Sequence, residues 1–349
     1  MAELIEIREQ HRFNEKTLAN TLTQALPDLR APLAIRQFQG GQSNPTFLIT
    51  DDGGRRYVLR KKPPGDILPS AHAVEREFAV MRALGQTDVP VPCARVLCED
   101  SSIIGTPFYV MDYIEGRVLT DIRLTDIPVG DRANYYNAMA DGLAALHRVD
   151  WQAAGLAGFG RPQAYLARQI SRWTRQYLAS SPDANTEMEN LIAWLPAHLP
   201  ADEPAVIAHG DYRLGNLMFA PDTPTLVAIL DWELATLGHP MADLAYLASF
   251  YHLPQGGEHA HGLADADLDA LGIPGEEALL ARYCSAVGRD FPARDWPFYL
   301  AFSLFRSASI GWGVYDRSRR GNAADARAHL YGDMFRTCAR AAWRIAQSG

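Results

Sequence analysis

The sequence predicts an α+β protein of two lobes: a small antiparallel β lobe, then a larger, mainly helical one. Three observations carry this. Short apolar runs between positions 33 and 111 have the spacing of strands and are punctuated by turn residues. From about Asp131 the apolar spacing becomes three and four, that of amphipathic helices. At 349 residues the chain exceeds what one small core serves, so two subdomains are expected.

The elements follow in order. A helix is expected over 14–25, closed by Pro27. Residues 33–38 and 47–50 read as strands, Asp51-Asp52-Gly53-Gly54 as the turn of a hairpin, and 56–60 as the returning strand. Lys62-Pro63-Pro64-Gly65 ends that strand, because proline cannot donate to a ladder. Ser70 is expected to cap a helix over 71–84, with Val74, Phe78, Met81 and Leu84 on one face. Residues 94–97 and 108–111 complete five antiparallel strands. Helices are then expected over 132–149, 163–179, 186–195, 241–250, 276–287, 296–312 and 323–347. The lobes divide as 1–112 and 113–349.

Composition excludes several classes. Apolar residues make up 48% and charged residues 21%, as in ordinary globular proteins. A net charge of −8 gives no global pull toward nucleic acid or an anionic membrane. Of the 33 basic residues only Lys16, Lys61 and Lys62 are lysine. Cys93, Cys98, Cys284 and Cys338 form no C-x-x-C pair and suit a reducing cytoplasm. A polar first ten residues argues against a signal peptide, and no apolar run of about 18 residues suggests a membrane span.

Chemistry concentrates in His209-Gly210-Asp211-Tyr212-Arg213-Leu214-Gly215-Asn216 and Ile229-Leu230-Asp231-Trp232-Glu233. Asn216 lies five residues after Asp211, and Asp231 fifteen after Asn216. Phosphoryl transfer from ATP uses such a set: one carboxylate orients the attacking hydroxyl, while an amide oxygen and a second carboxylate hold Mg²⁺. Asp211 is the candidate base, with Asn216 and Asp231 as candidate metal ligands. Glu233 is either a water-mediated ligand or a salt-bridge partner. His209 is expected to hydrogen-bond the loop backbone, and Asp243 to brace the loop.

Further residues suit nucleotide binding. Gly40-Gly41-Gln42-Ser43-Asn44-Pro45 joins the first two strands, and Gly41, Ser43 and Asn44 are candidate phosphate contacts. The same pattern also reads as an ordinary hairpin loop. On Tyr57-Val58-Leu59-Arg60 strand alternation makes Arg60 the first choice for the α- and β-phosphates, with Lys61 and Lys62 as alternatives. Glu75 and Glu77 are candidate partners for that cation. His252, His259 and His261 read as solvated loop residues rather than a metal site. Arg317, Arg319 and Arg320 are either solvated charge or a reader of an anionic substrate.

The H-x-D-x-x-x-x-N spacing and the following Ile229-Leu230-Asp231 resemble the aminoglycoside phosphotransferase family, which is similar to choline kinases and, more distantly, to protein kinases. The resemblance implies a protein-kinase-like two-lobed fold. Val74-Glu75-Arg76-Glu77 looks like the family's Val-Glu-Arg-Glu, which favours Glu77 as the ion-pair partner. It also implies adenine binding by the backbone of the Asp112-Tyr113-Ile114 linker, hence Asp112 and Ile114. Leu59-Arg60-Lys61-Lys62-Pro63-Pro64-Gly65 and Asp231-Trp232-Glu233 look closest to a subgroup whose relatives include kinase-like domains fused to acyl-CoA dehydrogenases.

That subgroup implies a small-molecule hydroxyl acceptor of the hydroxyacyl-CoA type rather than an antibiotic. An aminoglycoside or choline-type kinase is the alternative, and a nucleotide-binding pseudokinase the rival from another class. Intact Asp211, Asn216 and Asp231 count against the pseudokinase. A protein kinase is disfavoured by the lack of an A-P-E segment, and a hydrolase by the lack of G-x-S-x-G.

Overall fold

A computed structural model describes residues 3–39, 44–65, 72–180, 183–201, 204–255, 262–291, 294–320 and 326–348. The strands are β1 (Leu4–Ile5), β2 (Ala34–Phe38), β3 (Thr46–Thr50), β4 (Arg56–Lys61), β5 (Ala94–Cys98), β6 (Phe108–Asp112), β7 (Arg117–Val118), β8 (Val206–Ala208), β9 (Leu217–Phe219), β10 (Leu226–Ile229) and β11 (Thr236–Gly238). The helices are α1 (Glu15–Ala25), α2 (Val74–Leu84), α3 (Ser101–Ile104), α4 (Val129–His147), α5 (Tyr165–Ala179), α6 (Thr186–Ala197), α7 (Pro240–Ala248), α8 (Leu268–Leu271), α9 (Glu276–Val287), α10 (Trp296–Arg319) and α11 (Tyr331–Ser348). Among the described residues no helix is long and apolar enough to cross a membrane.

The chain forms two compact units. The first comprises Met1–Val118, Gln152–Phe159 and Met218–Ala235. Its sheet runs β1-β2-β3-β4-β6-β5, antiparallel throughout. Six strands stand where five were expected. The addition is the two-residue β1, paired to the edge of β2 and too short to show a period in sequence. Alternation along β4 sends Tyr57 and Leu59 into a core with Leu18 and Leu22 of α1, Phe47 and Ile49 of β3, and Phe108 and Val110 of β6. Asn14 caps α1, accepting from the Thr17 N–H at 3.0 Å.

α2 begins at Val74 with Ala73 before it, and the expected Ser70 cap lies outside the described residues. The segment Met218–Ala235, which a boundary at 112 leaves in the second lobe, clusters with the sheet. Within it the Ile229 N–H donates to Pro90 O at 2.8 Å, and Trp232 Nε1 to Ile229 O at 3.0 Å.

The second unit, Leu119–Trp151, Gly160–Leu217 and Thr236–Gly349, is mainly helical. α5 buries Leu166, Ile170, Trp173 and Tyr177, a stripe close to the helical period. α11 buries Phe335, Cys338, Ala342 and Ile345 in the same way. α10 instead is buried continuously from Phe298 to Ser309, so it is the central helix of this unit. It runs on to Arg319, seven residues beyond the expected end at Trp312. Arg317 and Arg319 therefore sit in its last turn rather than in a loop after it.

Phe47 is fully buried and meets Phe13 edge-on, with ring centres 5.2 Å apart. Phe47→Ala should lower the unfolding free energy by about 3–5 kcal/mol, read from a urea midpoint. A loss below about 1 kcal/mol would show that α1 and the sheet do not share this core.

Candidate functional site

In the first unit the polar cluster is built on β4 and α2. Arg60 faces away from the apolar core, while Glu77 lies on the buried face of α2 with Val74, Phe78 and Met81. Arg60 Nε stands 3.0 Å from Glu77 Oε2. Its Nη2 lies 2.9 Å from Asp231 Oδ1 and 3.5 Å from Glu233 Oε2. Glu77 also accepts from Asn44 Nδ2 at 2.8 Å and from the Tyr109 hydroxyl at 2.9 Å. The structure thus brings Asn44, Arg60, Glu77 and Asp231 together, and places Glu233 beside them.

Burial works against the charge on Arg60, but Glu77, Tyr109, Asp231 and Glu233 outweigh it and hold the guanidinium above its ordinary range. Burial pushes the Glu77 carboxyl up, opposed by Arg60, Tyr109 and Asn44. Asp231 adopts a left-handed backbone, φ 64°, which is strained for a non-glycine residue.

The neighbouring lysines are engaged elsewhere. Lys61 points to the apolar side, where its Nζ donates to Ile104 O at 3.2 Å and lies over the Phe13 ring. Lys62 pairs with Glu75 at 2.9 Å. Asp112 is gripped by Arg95 through two bonds of 2.8 and 2.6 Å, and its N–H donates to Cys93 O at 3.0 Å. Ile114 follows β6 and is partly buried. Gly41 and Ser43 lie outside the described residues.

In the second unit the loop after β8 carries His209, Gly210 and Asp211. Asp243, in the first turn of α7 and 1% exposed, accepts from the His209 N–H at 2.6 Å and from the Gly210 N–H at 2.9 Å. His147 at the end of α4 brings Nε2 to within 3.4 Å of Asp243, and its Nδ1 meets the Tyr283 hydroxyl at 2.7 Å. Burial opposes ionisation of Asp243, but His147, His209 and the Gly210 N–H overcome it and hold the carboxyl below the usual carboxylate range. His209 Nδ1 accepts from the Asp211 N–H at 3.2 Å, so its partner is the loop backbone. Asn216 Nδ2 donates to Asp211 O at 2.9 Å and to Asp211 Oδ2 at 2.7 Å. Arg213 Nε lies 3.3 Å from the same carboxylate oxygen.

Other candidates have ordinary partners. His252 pairs with Glu276 at 2.9 Å, while His259 and His261 lie outside the described residues. Arg319 pairs with Asp183, and Arg320 with Asp316, each at 3.0 Å. Among the described residues no group of three His, Cys, Asp or Glu side chains is placed to hold a metal. The sequence reading missed His147, Tyr283, Tyr246 and Arg306. A signal existed for Arg306, which is the sole charged residue between Trp296 and Trp312.

Residues 34–281 match the profile of the phosphotransferase enzyme family. The chain belongs to that family. This phosphotransferase is 46% identical to mouse acyl-CoA dehydrogenase family member 10 over 315 residues, 90% of this chain but 29% of that protein. The chain thus spans less than a third of that relative's length. A solved Ralstonia eutropha protein, described as a candidate aminoglycoside phosphotransferase, is 43% identical with a TM-score of 0.88, over 97% of this chain and 99% of that one. Choline kinase from Cryptosporidium parvum shares the fold at 14% identity and a TM-score of 0.61, over 92% and 95% of the two chains. The GDP complex of aminoglycoside 2'-phosphotransferase-IIIa shares it at 16% and 0.59, over 96% and 99%. The expected resemblance and the kinase-like fold are borne out. The family is one of phosphotransferase enzymes.

Asp243→Asn should destabilise the phosphotransferase by about 3 kcal/mol at pH 7, because two loop N–H groups lose an ionised acceptor. A depressed carboxyl stabilises fully above the ordinary value of about 4 and loses that effect as pH falls through its folded value. The gap between wild type and variant in denaturant midpoint should therefore narrow below about pH 4. A gap that stays constant to pH 2.5 would contradict the depressed carboxyl.

Proposed function

We propose that this phosphotransferase moves the γ-phosphoryl group of ATP to the hydroxyl of a small-molecule metabolite, and that the acceptor is of the hydroxyacyl-CoA class. One observation supports the first part above all. Asn216 fixes Asp211 by two hydrogen bonds from one amide nitrogen, so a carboxylate is held still beside an amide whose Oδ1 remains for a cation. Phosphoryl transfer needs that combination, because positioning and charge neutralisation supply most of its catalysis.

The roles follow from the chemistry of each group. Arg60 is the fork for the α- and β-phosphates, and Glu77 sets its orientation at 3.0 Å. Asn44 braces Glu77. Gly41 and Ser43 would cradle phosphate by their backbone, and Asp112 and Ile114 would receive adenine. The oxygen donors of Asn216 and Asp231 are hard and suit Mg²⁺, which when bound neutralises charge on the triphosphate. Asp211 orients the acceptor hydroxyl. As the γ-phosphorus–oxygen bond to the acceptor forms and the bond to ADP breaks, Asp211 takes the hydroxyl proton. Proton transfer late in a loose transition state suffices, so the chief work of this carboxylate is to orient the hydroxyl.

Support for the acceptor class comes from the relative's name. A polypeptide called an acyl-CoA dehydrogenase family member contains a segment 46% identical to this chain. A hydroxyl on an acyl thioester is the acceptor that best suits the same polypeptide. The charged side chain paired with Asp211 is Arg213, at 3.3 Å, a cation that a polycationic antibiotic would meet unfavourably.

Asp211→Asn should lower kcat by about 10²–10⁴-fold while the dissociation constant for Mg-ATP changes by less than about threefold. ADP release is measured with hydroxyacyl-CoA thioesters, choline, ethanolamine, homoserine, sugars and aminoglycosides as acceptors. A variant as active as wild type would remove Asp211 from its role, and turnover of aminoglycosides alone would overturn the acceptor class. Asp231→Ala should instead weaken Mg-ATP binding by about tenfold or more, read by calorimetry. Unchanged binding would take Asp231 out of the metal site.

A further inference from the structure

A charged side chain in the middle of a buried helix needs a reason. Arg306 lies in the centre of α10, 7% exposed, with Phe302, Leu304, Phe305 and Ala308 around it in sequence, all buried. Removing a guanidinium from water is expensive unless its charge and donors are answered. Its partners among the described residues are unusual. Nη2 donates to the carbonyl oxygen of Gly210, and the guanidinium carbon lies 5.7 Å from the Trp173 ring centre and 5.5 Å from that of Tyr246. The cation thus lies within reach of two aromatic faces and points at the peptide that precedes Asp211.

That peptide is held at both ends. Its C=O belongs to Gly210 and meets Arg306, while its N–H belongs to Asp211 and meets His209 Nδ1 at 3.2 Å. The preceding peptide is pinned by Asp243 through the Gly210 N–H at 2.9 Å. Gly210 has φ 83°, a left-handed turn that a side chain disfavours, so the two peptides face opposite charges across one residue. Tyr246 stands near both charges. Its ring centre lies 5.5 Å from the Arg306 guanidinium, and burial together with the charge of Asp211 pushes its hydroxyl pKa up.

We propose that Arg306 is a positioning residue of the phosphotransferase: by clamping the Gly210 carbonyl and the Tyr246 ring it sets the direction in which the Asp211 carboxylate points. This rests on the proposed role of Asp211, but the clamp itself has a readout that needs no turnover. Arg306 does not touch the reacting atoms; it acts through Gly210 and Tyr246. Lysine is a poor substitute, because an ammonium lacks the planar face and the forked donors of a guanidinium.

The test compares Arg306→Met and Arg306→Lys with the wild-type full chain. Hydrogen exchange read by mass spectrometry over 207–216 should speed up by about tenfold or more in Arg306→Met, with peptides from α5 and the rest of α10 within about threefold. Steady-state ADP release should show kcat lowered by about 100-fold in both variants, with the KM for Mg-ATP within about threefold of wild type. A residue that only fills space would instead speed exchange along α10 and α5 and leave kcat of the folded protein intact. That outcome, or unchanged exchange over 207–216, overturns the proposal. Should Arg306→Met fail to fold, Arg306→Lys carries both readouts. If wild type shows no turnover with any acceptor, the proposed reaction falls, and the exchange result alone decides whether Arg306 clamps the loop.

Discussion

Buried charge must be answered in place, and the loop that carries Asp211 is where this protein meets that demand most densely. Asp243, almost without solvent, takes the N–H groups of His209 and Gly210. Arg306, also buried, donates to the Gly210 carbonyl. A loop backbone could satisfy itself with water, at the loss of a fixed shape. Here an anion on α7 and a cation on α10 replace that water, so the loop geometry is inherited from the helix packing of the second unit. The short β8–β11 pair, Val206–Ala208 with Thr236–Gly238, supports the same loop from its N-terminal side.

The first unit solves the converse problem. Three carboxylates, from Glu77, Asp231 and Glu233, converge on the single guanidinium of Arg60. Glu77 is bound on its remaining sides by Asn44 and Tyr109, which fixes it as an orienting group. A forked planar cation suits such a site better than lysine, since separate nitrogens can serve Glu77 and Asp231 at once. The lysines that follow Arg60 are diverted by strand geometry, Lys61 to the apolar face and Lys62 to Glu75.

Much of this was legible in the chain. Alternation on β4 singled out Arg60 over Lys61, whereas Glu77 was favoured over Glu75 only by the resemblance to the family's Val-Glu-Arg-Glu; its burial beside Val74, Phe78 and Met81 is a structural finding. Asp211 and Asn216 were singled out by their spacing, but the bond between them was not expected; a short 3₁₀ turn at Leu214–Asn216 folds the chain back over five residues and makes it. Asp243 was read as a brace from its place after the loop. Less was legible where a contact spans the chain. Tyr283 meets His147 across 136 residues, and Arg306 meets Gly210 across 96. No local period announces either contact, although a lone arginine in the apolar run 296–312 marks a buried charge that some distant group must answer.

The sequence by itself determined the longer helices and the main strands of the sheet, the antiparallel β and helical divisions, and the spacing of the candidate site residues, because these depend on periods and spacings within a few tens of residues. Tertiary structure alone decided how far α10 extends, that the Asp231 segment clusters with the sheet, and which helices hold the loop of Asp211. The physical reason is the range of the forces involved. Backbone propensity and amphipathic pattern act locally, whereas the burial of a charge is settled by whichever group the folded chain brings within about 3 Å of it.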